Sequence, residues 1–485
     1  MPTVYQVNTR VWLTDMSRKL GRPATLDDVP DRELDDWQHL GFDWIYLLGV
    51  WQTGEAGRMI ARSDPQLRQS YRQTLPDLHE SDICGSCFAV KQYVVHPVLG
   101  GDPALARLRR RLHEHGLRLI LDFVPNHTAL DHDWAYDHPE YYVPGSEADL
   151  ATSPGNYIRL QTSRGQIIVA HGRDPNFPAW TDTLQLNYAQ PTVHEAMQHE
   201  LIGVAGRCDG VRCDMAMLIL PDVFQRTWRL SMQPFWPQAI ERVHRFYPNT
   251  VFMAEVYWNL EATLLEQGFD YVYDKRFYDL LRARRTALLR EHLRTDVPTQ
   301  RHAVHFLENH DESRAAAVFP LEVHKPAAVL AFLSPGLRFF HQGQLEGRTT
   351  RIPVQLCRAP DEPVDLTLRT FYESLLGCIR LPVVQQGNWQ LLDCSPAWDG
   401  NWTWDCFVAS IWHRPAAERV LVVVNYAGNQ AQCYVRLPFG DLQDRAVRLR
   451  DLLGPASYDR QGGSLVSPGL YLDLPPWGYH VFELM

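Results

Sequence analysis

The sequence has no long apolar run, no run of one charge sign and no regular spacing of cysteines. No stretch reaches the roughly 18 uninterrupted apolar residues that cross a bilayer. The first residues, MPTVYQVNTRVW, contain neither a basic segment nor an apolar one. We therefore expect no membrane span and no signal peptide. The net charge of −10 argues against binding to nucleic acids or anionic membranes.

The nine cysteines are odd in number and scattered along the chain. Cys84 and Cys87 form a C-x-x-C pair, but no second pair at zinc spacing follows. We interpret the two as reduced loop thiols, with a redox role as the alternative. This use of cysteine predicts a cytoplasmic protein.

The chain of 485 residues has the composition of an ordinary globular protein, 45% hydrophobic and 21% charged, and its length suits two or three domains. Short β-type runs alternate with amphipathic segments such as PALARLRRRLHEHG (103–116), in which Pro103 opens the predicted helix and Gly116 closes it. Strands alternating with helices predict a parallel sheet, and eight such strands fit a (β/α)8 TIM barrel. The predicted strands are Tyr5–Trp12, Trp44–Val50, Leu117–Val124, Gly210–Ala216, Val251–Tyr257, Phe269–Tyr273, Val304–Asn309 and Leu337–Gln342.

Two regions interrupt this alternation. Residues 124–189 are rich in Pro, Gly, Asp and His and have little periodicity, which indicates an irregular insertion after the third strand. From about residue 385, short apolar runs between turn signals predict an antiparallel β-sandwich domain at 385–485. The barrel then comprises residues 1–123 and 190–375.

Charged residues stand at the predicted ends of four strands. The carboxyl ends of barrel strands meet at one mouth, where active sites of this fold lie. Like charges gathered there raise one another's pKa, which is costly unless the chemistry uses it. The strand-end residues are Asp122, Asn126 and His127 after strand three, Arg212 and Asp214 on strand four, Glu255 on strand five, and His310 and Asp311 after strand seven.

Asp214 and Glu255 are the pair that suits bond cleavage. Neighbouring strands lie about 4.8 Å apart, and retaining glycoside hydrolysis needs two carboxyls about 5–5.5 Å apart, one as nucleophile and one as acid. Arg212, two residues before Asp214 on the same face, is expected to keep Asp214 ionised. Glu255, between apolar Ala254 and Val256, is the better candidate for the acid. A purely structural ion pair of Arg212 and Asp214 is the alternative interpretation.

These strand-end segments resemble the α-amylase superfamily of glycoside hydrolases. The four main signatures match in order and spacing over about residues 5–345, and LQLN (184–187) is similar to a short fifth one. The matching segments are DFVPNH (122–127), GVRCDMAML (210–218), AEVYW (254–258) and ENHD (308–311).

The resemblance implies a retaining mechanism for α-glucosidic bonds. Asp214 would be the nucleophile, Glu255 the acid/base, and Asp311 the third carboxylate, which holds sugar hydroxyls. It also implies that His127 and His310 bind the same ring.

The resemblance further implies that Arg212 supports the nucleophile and that Phe88, in GSCFAVKQY (85–93), stacks on the sugar, a core aromatic being the alternative. Asp122 and Asn126 are expected to organise the rim. Asn126 matches a calcium-associated position of some relatives, but no other ligands are identifiable, so we expect no cofactor.

The sequence departs from starch-acting members on the acceptor side. Met217 and Leu218 stand where those proteins often have Lys and His, and Tyr257 and Trp258 follow the acid/base. We expect short α-glucosides or malto-oligosaccharides as substrates. The alternatives are a glucosyl transferase or phosphorylase using the same intermediate, or a non-catalytic member of the fold.

Overall fold

The computed structural model describes residues 1–294, 297–414 and 418–485. Residues 295–296 in the predicted barrel and 415–417 in the predicted C-terminal domain lie outside the described residues. Eight parallel strands close into a barrel in sequential order, which confirms the predicted (β/α)8 fold. The barrel strands are β1 (Thr3–Asn8), β2 (Trp44–Leu48), β3 (Arg118–Phe123), β4 (Gly210–Cys213), β5 (Val251–Ala254), β6 (Tyr271–Tyr273), β7 (Ala303–His305) and β8 (Leu337–His341).

The prediction for the first strand is wrong at its end. The strand stops at Asn8, and residues 9–12 open the helix Thr9–Leu20. The Asn8 side chain accepts a hydrogen bond from the Val11 amide at 3.3 Å and so caps this helix. The apolar residues that extend the β-type run therefore belong to a helix face, and Val11, Trp12 and Leu13 are buried.

Helices surround the barrel, and their apolar faces cover the strands. The helix predicted at 103–116 spans Gly101–Glu114, with Gly116 just beyond it in a left-handed conformation at φ 73°. The helices of the barrel region are Thr9–Leu20, Asp31–Leu40, Gly101–Glu114, Pro191–Ala205, Pro221–Trp228, Trp236–Phe246, Glu261–Glu266, Lys275–Arg282, Thr286–Leu293, Val297–Gln300, Ala315–Val318, Leu321–Phe332, Leu366–Ile379 and Pro382–Gln386.

Two long connections rise from the carboxyl ends of neighbouring strands. The connection after β2 contains helices Glu55–Ser63 and Pro65–Thr74 and pairs Trp51–Thr53 with Val90–Val95. Sequence analysis did not identify this excursion, because its helical segments resemble those of the barrel. The connection after β3, predicted at 124–189, has helices Asp133–Asp137 and Glu147–Thr152, a hairpin of Tyr157–Thr162 with Gly165–Ala170, and a pairing of His127–Ala129 with Thr183–Gln185.

The C-terminal region consists of antiparallel sheets, as predicted. The central strand Arg419–Asn425 is buried on both faces. Val420, Val422 and Val424 pack toward the barrel core, whereas Leu421 and Val423 join the core between the two sheets. The six-stranded sheet has the order Asn388–Leu392, Phe407–His413, Arg419–Asn425, Tyr479–Leu484, Ala446–Asp451, Ser457–Gln461, and the three-stranded sheet has the order Cys394–Ser395, Ala431–Val435, Leu470–Leu474. The short helix Gly462–Val466 lies between Ser457–Gln461 and Leu470–Leu474.

No helix among the described residues is both long and apolar enough to cross a membrane.

Candidate active site

A cavity of about 1080 Å³ opens at the carboxyl ends of the barrel strands. This is the end at which barrel enzymes place their catalytic groups. Seven carboxyl groups line the cavity, against two cationic side chains, Lys275 and Arg276. The acidic residues are Asp174, Asp182, Asp214, Glu255, Glu261, Asp279 and Asp311.

Strand register brings Asp214 and Glu255 together. Cys213 on β4 lies opposite Ala254 on β5, so the two carboxyl residues immediately follow paired positions. The Glu255 amide continues the ladder by donating to the Cys213 carbonyl at 3.0 Å. Both side chains are nearly fully buried at the base of the cavity.

Arg212 joins the two carboxyls. Its Nη1 donates to Asp214 Oδ1 at 2.7 Å, and its Nη2 donates to Glu255 Oε2 at 2.5 Å. The guanidinium is fully buried and lies over the rings of Phe88 and Tyr273, 5.4 and 5.9 Å from their centroids. One planar cation therefore fixes the relative position of both groups. We call Arg212, Asp214 and Glu255 the floor.

Glu255 has a polar environment. Its Oε2 also accepts from the Met215 amide at 2.9 Å, and its Oε1 accepts from the Tyr257 hydroxyl at 2.7 Å. The prediction of an apolar environment for the Glu255 carboxyl, made from Ala254 and Val256, is therefore wrong. Successive side chains of an extended segment point to opposite sides, so the flanking residues face away from the carboxyl.

Burial and the Arg212 cation act on Asp214 in opposite directions. Arg212 lowers the pKa of this carboxyl, which is the direction predicted, but burial outweighs it and raises the pKa to about 8. The cation is also shared, since it contacts Asp122 and Glu255 as well as Asp214. That Arg212 keeps Asp214 ionised stays a prediction.

Asp311 faces the cavity from the end of the segment after β7, and 48% of its side chain is exposed. Its Oδ2 lies 3.0 Å from His310 Nε2, and Gln6 Nε2 lies 3.0 Å from His310 Nδ1. Burial alone would lower the pKa of His310, but Asp311 outweighs it and raises that pKa. The structure thus places His310 behind Asp311, outside the cavity lining, and its direct contact with sugar stays a prediction.

His127 and Phe88 both line the cavity, as predicted for substrate-binding residues. The His127 ring lies 5.1 Å from that of Trp180, and burial lowers the pKa of His127 to about 4, so it is a neutral ring at pH 7. Phe88 is half-buried, and its ring lies 5.2 Å from the His310 ring. Their contacts with a sugar stay predictions.

Asp122 and Asn126 are buried below the mouth. Asp122 Oδ1 accepts from the Tyr46 hydroxyl at 2.5 Å and lies 3.4 Å from Arg212 Nη1. Asn126 Oδ1 accepts from Gln185 Nε2 at 3.0 Å, which links the first and fifth signatures.

These contacts do not fit a calcium site at Asn126. Its side-chain oxygen is already engaged by a protein amide. No group of three His, Cys, Asp or Glu side chains in the described part of the chain has the arrangement of a metal site.

The acceptor-side residues divide into two groups. Met217 and Leu218 are buried in the barrel core and do not line the cavity, so the expectation that they face an acceptor is wrong. They belong to a short 3-10 helix that turns inward directly after β4. Tyr257 and Trp258 do line the cavity, and Trp258 is 37% exposed.

Three non-glycine residues at the cavity have left-handed backbones. They are Met215 at φ 42°, Trp258 at φ 66° and Asn259 at φ 59°. Such conformations are strained for side chains other than glycine and concentrate at functional sites. In these conformations the Met215 amide donates to Glu255 and Trp258 lines the cavity.

Sequence analysis missed three residues that belong to this site. Gln6 contacts His310 from β1, and Trp180 and Asp182 line the cavity from the insertion. Burial raises the pKa of Asp182 to about 6. A glutamine in an apolar strand is a signal for Gln6, whereas the irregular insertion offers no periodicity that would single out the other two.

Comparison with known proteins agrees with this geometry. A family model described as the α-amylase catalytic domain matches residues 33–363, more than half of the chain. The chain belongs to the α-amylase family. An α-glucosidase from Apis mellifera is 27% identical over 196 residues, which are 36% of this chain and 34% of that protein. Alpha-amylase 3 from Dictyoglomus thermophilum is 23% identical over 291 residues, 55% of each chain.

The chain thus aligns with about a third to a half of the length of these curated relatives. Among solved structures, a noncanonic maltogenic α-amylase from Thermotoga neapolitana is similar at a TM-score of 0.70 and 17% identity, covering 100% of this chain and 98% of that one. At that identity the likeness concerns the fold. This member of the α-amylase family therefore shares its architecture with enzymes of differing specificity.

Proposed function

We propose that this protein is a retaining glycoside hydrolase that cleaves α-glucosidic bonds in short α-glucosides or malto-oligosaccharides. The observation that carries the proposal is the floor: two carboxyls at the ends of neighbouring strands, held by one arginine, at the base of a cavity that accommodates several sugar rings.

In this mechanism Asp214 attacks the anomeric carbon while Glu255 protonates the departing oxygen. The covalent glycosyl-enzyme intermediate forms as the glycosidic bond breaks. Glu255, now ionised, accepts a proton from water as that water attacks the same carbon and releases Asp214. Asp311, exposed to the cavity, is placed to accept hydrogen bonds from ring hydroxyls.

The pair must hold one proton, on Glu255, when attack begins. In the free site burial raises the pKa of Asp214 against the effect of Arg212, which favours a proton on the pair at neutral pH. We infer that productive binding proceeds from the form in which Asp214 is ionised. The Tyr257 hydroxyl and the Met215 amide hold the Glu255 carboxyl in place for the transfer.

The size of the substrate is inferred from the wall, which we define as the lining residues Phe88, Trp180, Trp258, Val354 and Gln355. Aromatic rings from three separate connections enclose the cavity and suit stacking on individual sugar rings. Met217 and Leu218 are buried and do not bear on the size of the substrate. The proposed preference for short substrates rests on Tyr257 and Trp258, whose rings line the cavity.

The charge of the lining supports water or a neutral sugar as the acceptor, rather than phosphate. The seven carboxyl groups of the lining disfavour binding of an anion such as phosphate. The Lys275 ammonium already forms ion pairs with Asp279 at 2.5 Å and Glu312 at 3.3 Å. We propose no resident cofactor. All nine cysteines are free thiols, which supports a cytoplasmic location.

A panel of maltose, maltotriose, other α-linked disaccharides and soluble starch tests the proposal. Kinetics at matched concentrations of chain ends should give higher kcat/KM for the short substrates. Proton NMR should show the α-anomer of the product first. The Asp214→Asn variant serves as the matched inactive control.

Three results would contradict parts of this proposal. A clear preference for starch refutes the substrate size, and a β-anomer as first product refutes the retaining mechanism. Sugar phosphates formed on addition of inorganic phosphate, or longer oligosaccharides formed from maltose alone, would identify a phosphorylase or a transferase.

A further inference from the structure

Two cysteines from distant parts of the sequence meet beside the cavity wall. Ile83, in the connection after β2, pairs with Leu356, after β8, in an antiparallel bridge. The Cys84 amide donates to the Gln355 carbonyl at 2.8 Å, and the Cys357 amide donates to the Asp82 carbonyl at 2.9 Å. Alternate residues of paired extended segments share a face, so Cys84 and Cys357 lie diagonally on one face. Cys84 Sγ donates to the Gln355 carbonyl at 3.2 Å, and Cys357 Sγ donates to the Ser81 carbonyl at 3.4 Å, so both thiols lie at this bridge.

A cation lies against the first of these thiols. Arg10 Nη1 donates to Cys84 Sγ at 3.3 Å and to the Gly85 carbonyl at 2.9 Å, and its Nη2 donates to Thr53 Oγ1 at 3.1 Å. No carboxylate of the described residues lies within ion-pair distance of this guanidinium. A thiolate on Cys84 is therefore its nearest anionic partner.

The neighbouring Cys357 and the Arg10 cation together lower the pKa of Cys84 to about 6, against the effect of burial. The thiolate is the reactive form of cysteine, and a low pKa together with partial exposure marks a redox-active thiol. Cys84 and Cys357 are both half-exposed.

A small cavity of about 280 Å³ gives access to the pair. Both cysteines line it, and the other charged or titratable groups around it are Arg10, Glu55, Arg58 and His96. Glu55 and Arg58 bond to each other at 2.7 Å, which leaves Arg10 as the cation that faces the sulfur.

We propose that Cys84 and Cys357 are a thiol-oxidation site that forms a reversible disulfide at the cavity wall. The oxidant is a low-molecular-weight disulfide of the glutathione class. The Cys84 thiolate attacks one sulfur of that molecule, its disulfide bond breaks, and one small thiolate leaves. The Cys357 thiol then gives its proton to solvent and displaces the second small thiolate from Cys84. Two protein thiols are oxidised, and one small disulfide is reduced to two thiols.

Cys87, the sequence neighbour of Cys84 in the C-x-x-C pair, does not fit this role. It is 6% exposed, belongs to the barrel core, and burial raises its pKa well above the ordinary range. The partner of Cys84 is therefore 273 positions away in the chain, rather than three.

The position gives the disulfide a link to the cavity. The segment after Cys84 carries Ser86 and Phe88, and the segment before Cys357 carries Val354 and Gln355, all of which line the cavity. A bond between the sulfurs would tie these two sides of the wall. The inference stands on the thiols alone and holds whatever the substrate is.

Oxidation of the folded, full-length protein by oxidised glutathione at pH 7 tests the proposal. After quenching with iodoacetamide, peptide mapping by mass spectrometry should show a Cys84–Cys357 linkage with loss of two hydrogens, which dithiothreitol reverses. Cys357→Ser should instead accumulate a mixed disulfide on Cys84, and Cys84→Ser should leave Cys357 unreacted. Cys394→Ser, in the C-terminal sheets, is the control and should form the same linkage as the parent.

The Arg10→Gln variant tests whether the Arg10 cation activates the Cys84 thiol or only supports the local structure. At pH 6 Cys84 of the variant should react several-fold more slowly than Cys84 of the parent. The difference should shrink as the pH rises toward 9, since Cys84 of the variant then becomes ionised as well. A Cys84–Cys87 linkage, reaction of Cys84 only after unfolding, or an unchanged rate at pH 6 in Arg10→Gln would overturn the proposal.

Discussion

The floor and the wall of the cavity are built in different ways. The floor residues stand on or directly after neighbouring parallel strands, are buried, and are joined by hydrogen bonds of 2.5 and 2.7 Å. The wall comes from the connections after β2, β3, β5 and β8, and its aromatic rings are partly exposed. Hydrogen bonding fixes the relative position of neighbouring strands, whereas connecting loops can adopt many shapes.

This difference separates the reaction from its selectivity. The bond-breaking groups depend on strand register, which the barrel fixes wherever its core is packed. The shape of substrate that the cavity accepts depends on Trp180, Trp258 and Phe88. These residues lie on connections whose length can vary. Substitutions on the floor should therefore abolish turnover, and substitutions on the wall should change which substrate is preferred.

The largest effect is expected for Asp214→Asn. The amide is nearly isosteric and can remain within hydrogen-bond distance of Arg212, so the fold should persist, while loss of the nucleophile lowers kcat on the order of 10⁴-fold. Steady-state kinetics with an aryl α-glucoside measures the loss, and an unchanged melting temperature serves as control. A folded variant with near-parental turnover contradicts the assignment of the nucleophile.

The next effect is expected for Glu255→Gln, and its size should depend on the leaving group. General acid catalysis contributes about 10²–10⁴-fold, so maltose cleavage should fall by that order. Aryl glucosides with acidic phenols should lose far less, because their departing oxygen needs little protonation. Equal losses on both substrate types would assign the acid to another residue.

A third prediction concerns pH and sharpens the description of the floor. The pair of Asp214 and Glu255 must hold one proton when attack begins, and burial raises the pKa of Asp214 to about 8. Activity should therefore be lost as the pair loses that proton, with kcat/KM decreasing about tenfold per unit as the pH rises above that pKa. A pH profile of kcat/KM with an aryl glucoside between pH 5 and 10 measures it.

Asp182→Asn is the matched control for that profile. Burial also raises the pKa of Asp182, to about 6, but this carboxyl lies on the insertion and not on the floor. The variant should keep the alkaline limb of the parent. A parental profile that stays flat up to pH 10 would rule out the pair of Asp214 and Glu255 as the titrating groups.

The smallest effect is expected at the wall, for Trp258→Ala. A stacked aromatic contributes roughly 0.5–1.5 kcal/mol beyond its buried area, which corresponds to about a 2- to 12-fold rise in KM for maltotriose. The kcat for an aryl glucoside should change little, since the floor is intact. Trp402→Ala, with 67% of that side chain exposed in the C-terminal region, is the control. A loss of kcat as large as that of Asp214→Asn would remove the distinction between floor and wall.

The sequence by itself determined the barrel and the residues of its floor. Alternation of apolar strands with amphipathic helices is set by local periodicity, and a charged residue at the end of an apolar run marks a strand end. Arg212, Asp214 and Glu255 were identifiable because parallel strands bring their carboxyl ends to one mouth whatever the loops do. The same reasoning extended β1 too far, since a cap such as Asn8 ends a strand without changing the apolar pattern.

Only the tertiary structure decided what depends on water exclusion and on contacts between distant segments. Burial sets the direction of the Asp214 pKa against the effect of Arg212, and burial cannot be read from a neighbour two positions away. Packing in the barrel core keeps Met217 and Leu218 out of the cavity. Cys84 and Cys87 are neighbours in the sequence, whereas the bridge of Ile83 with Leu356 brings Cys84 and Cys357 to one face. Separation along the chain carries no information about such a contact between two connections.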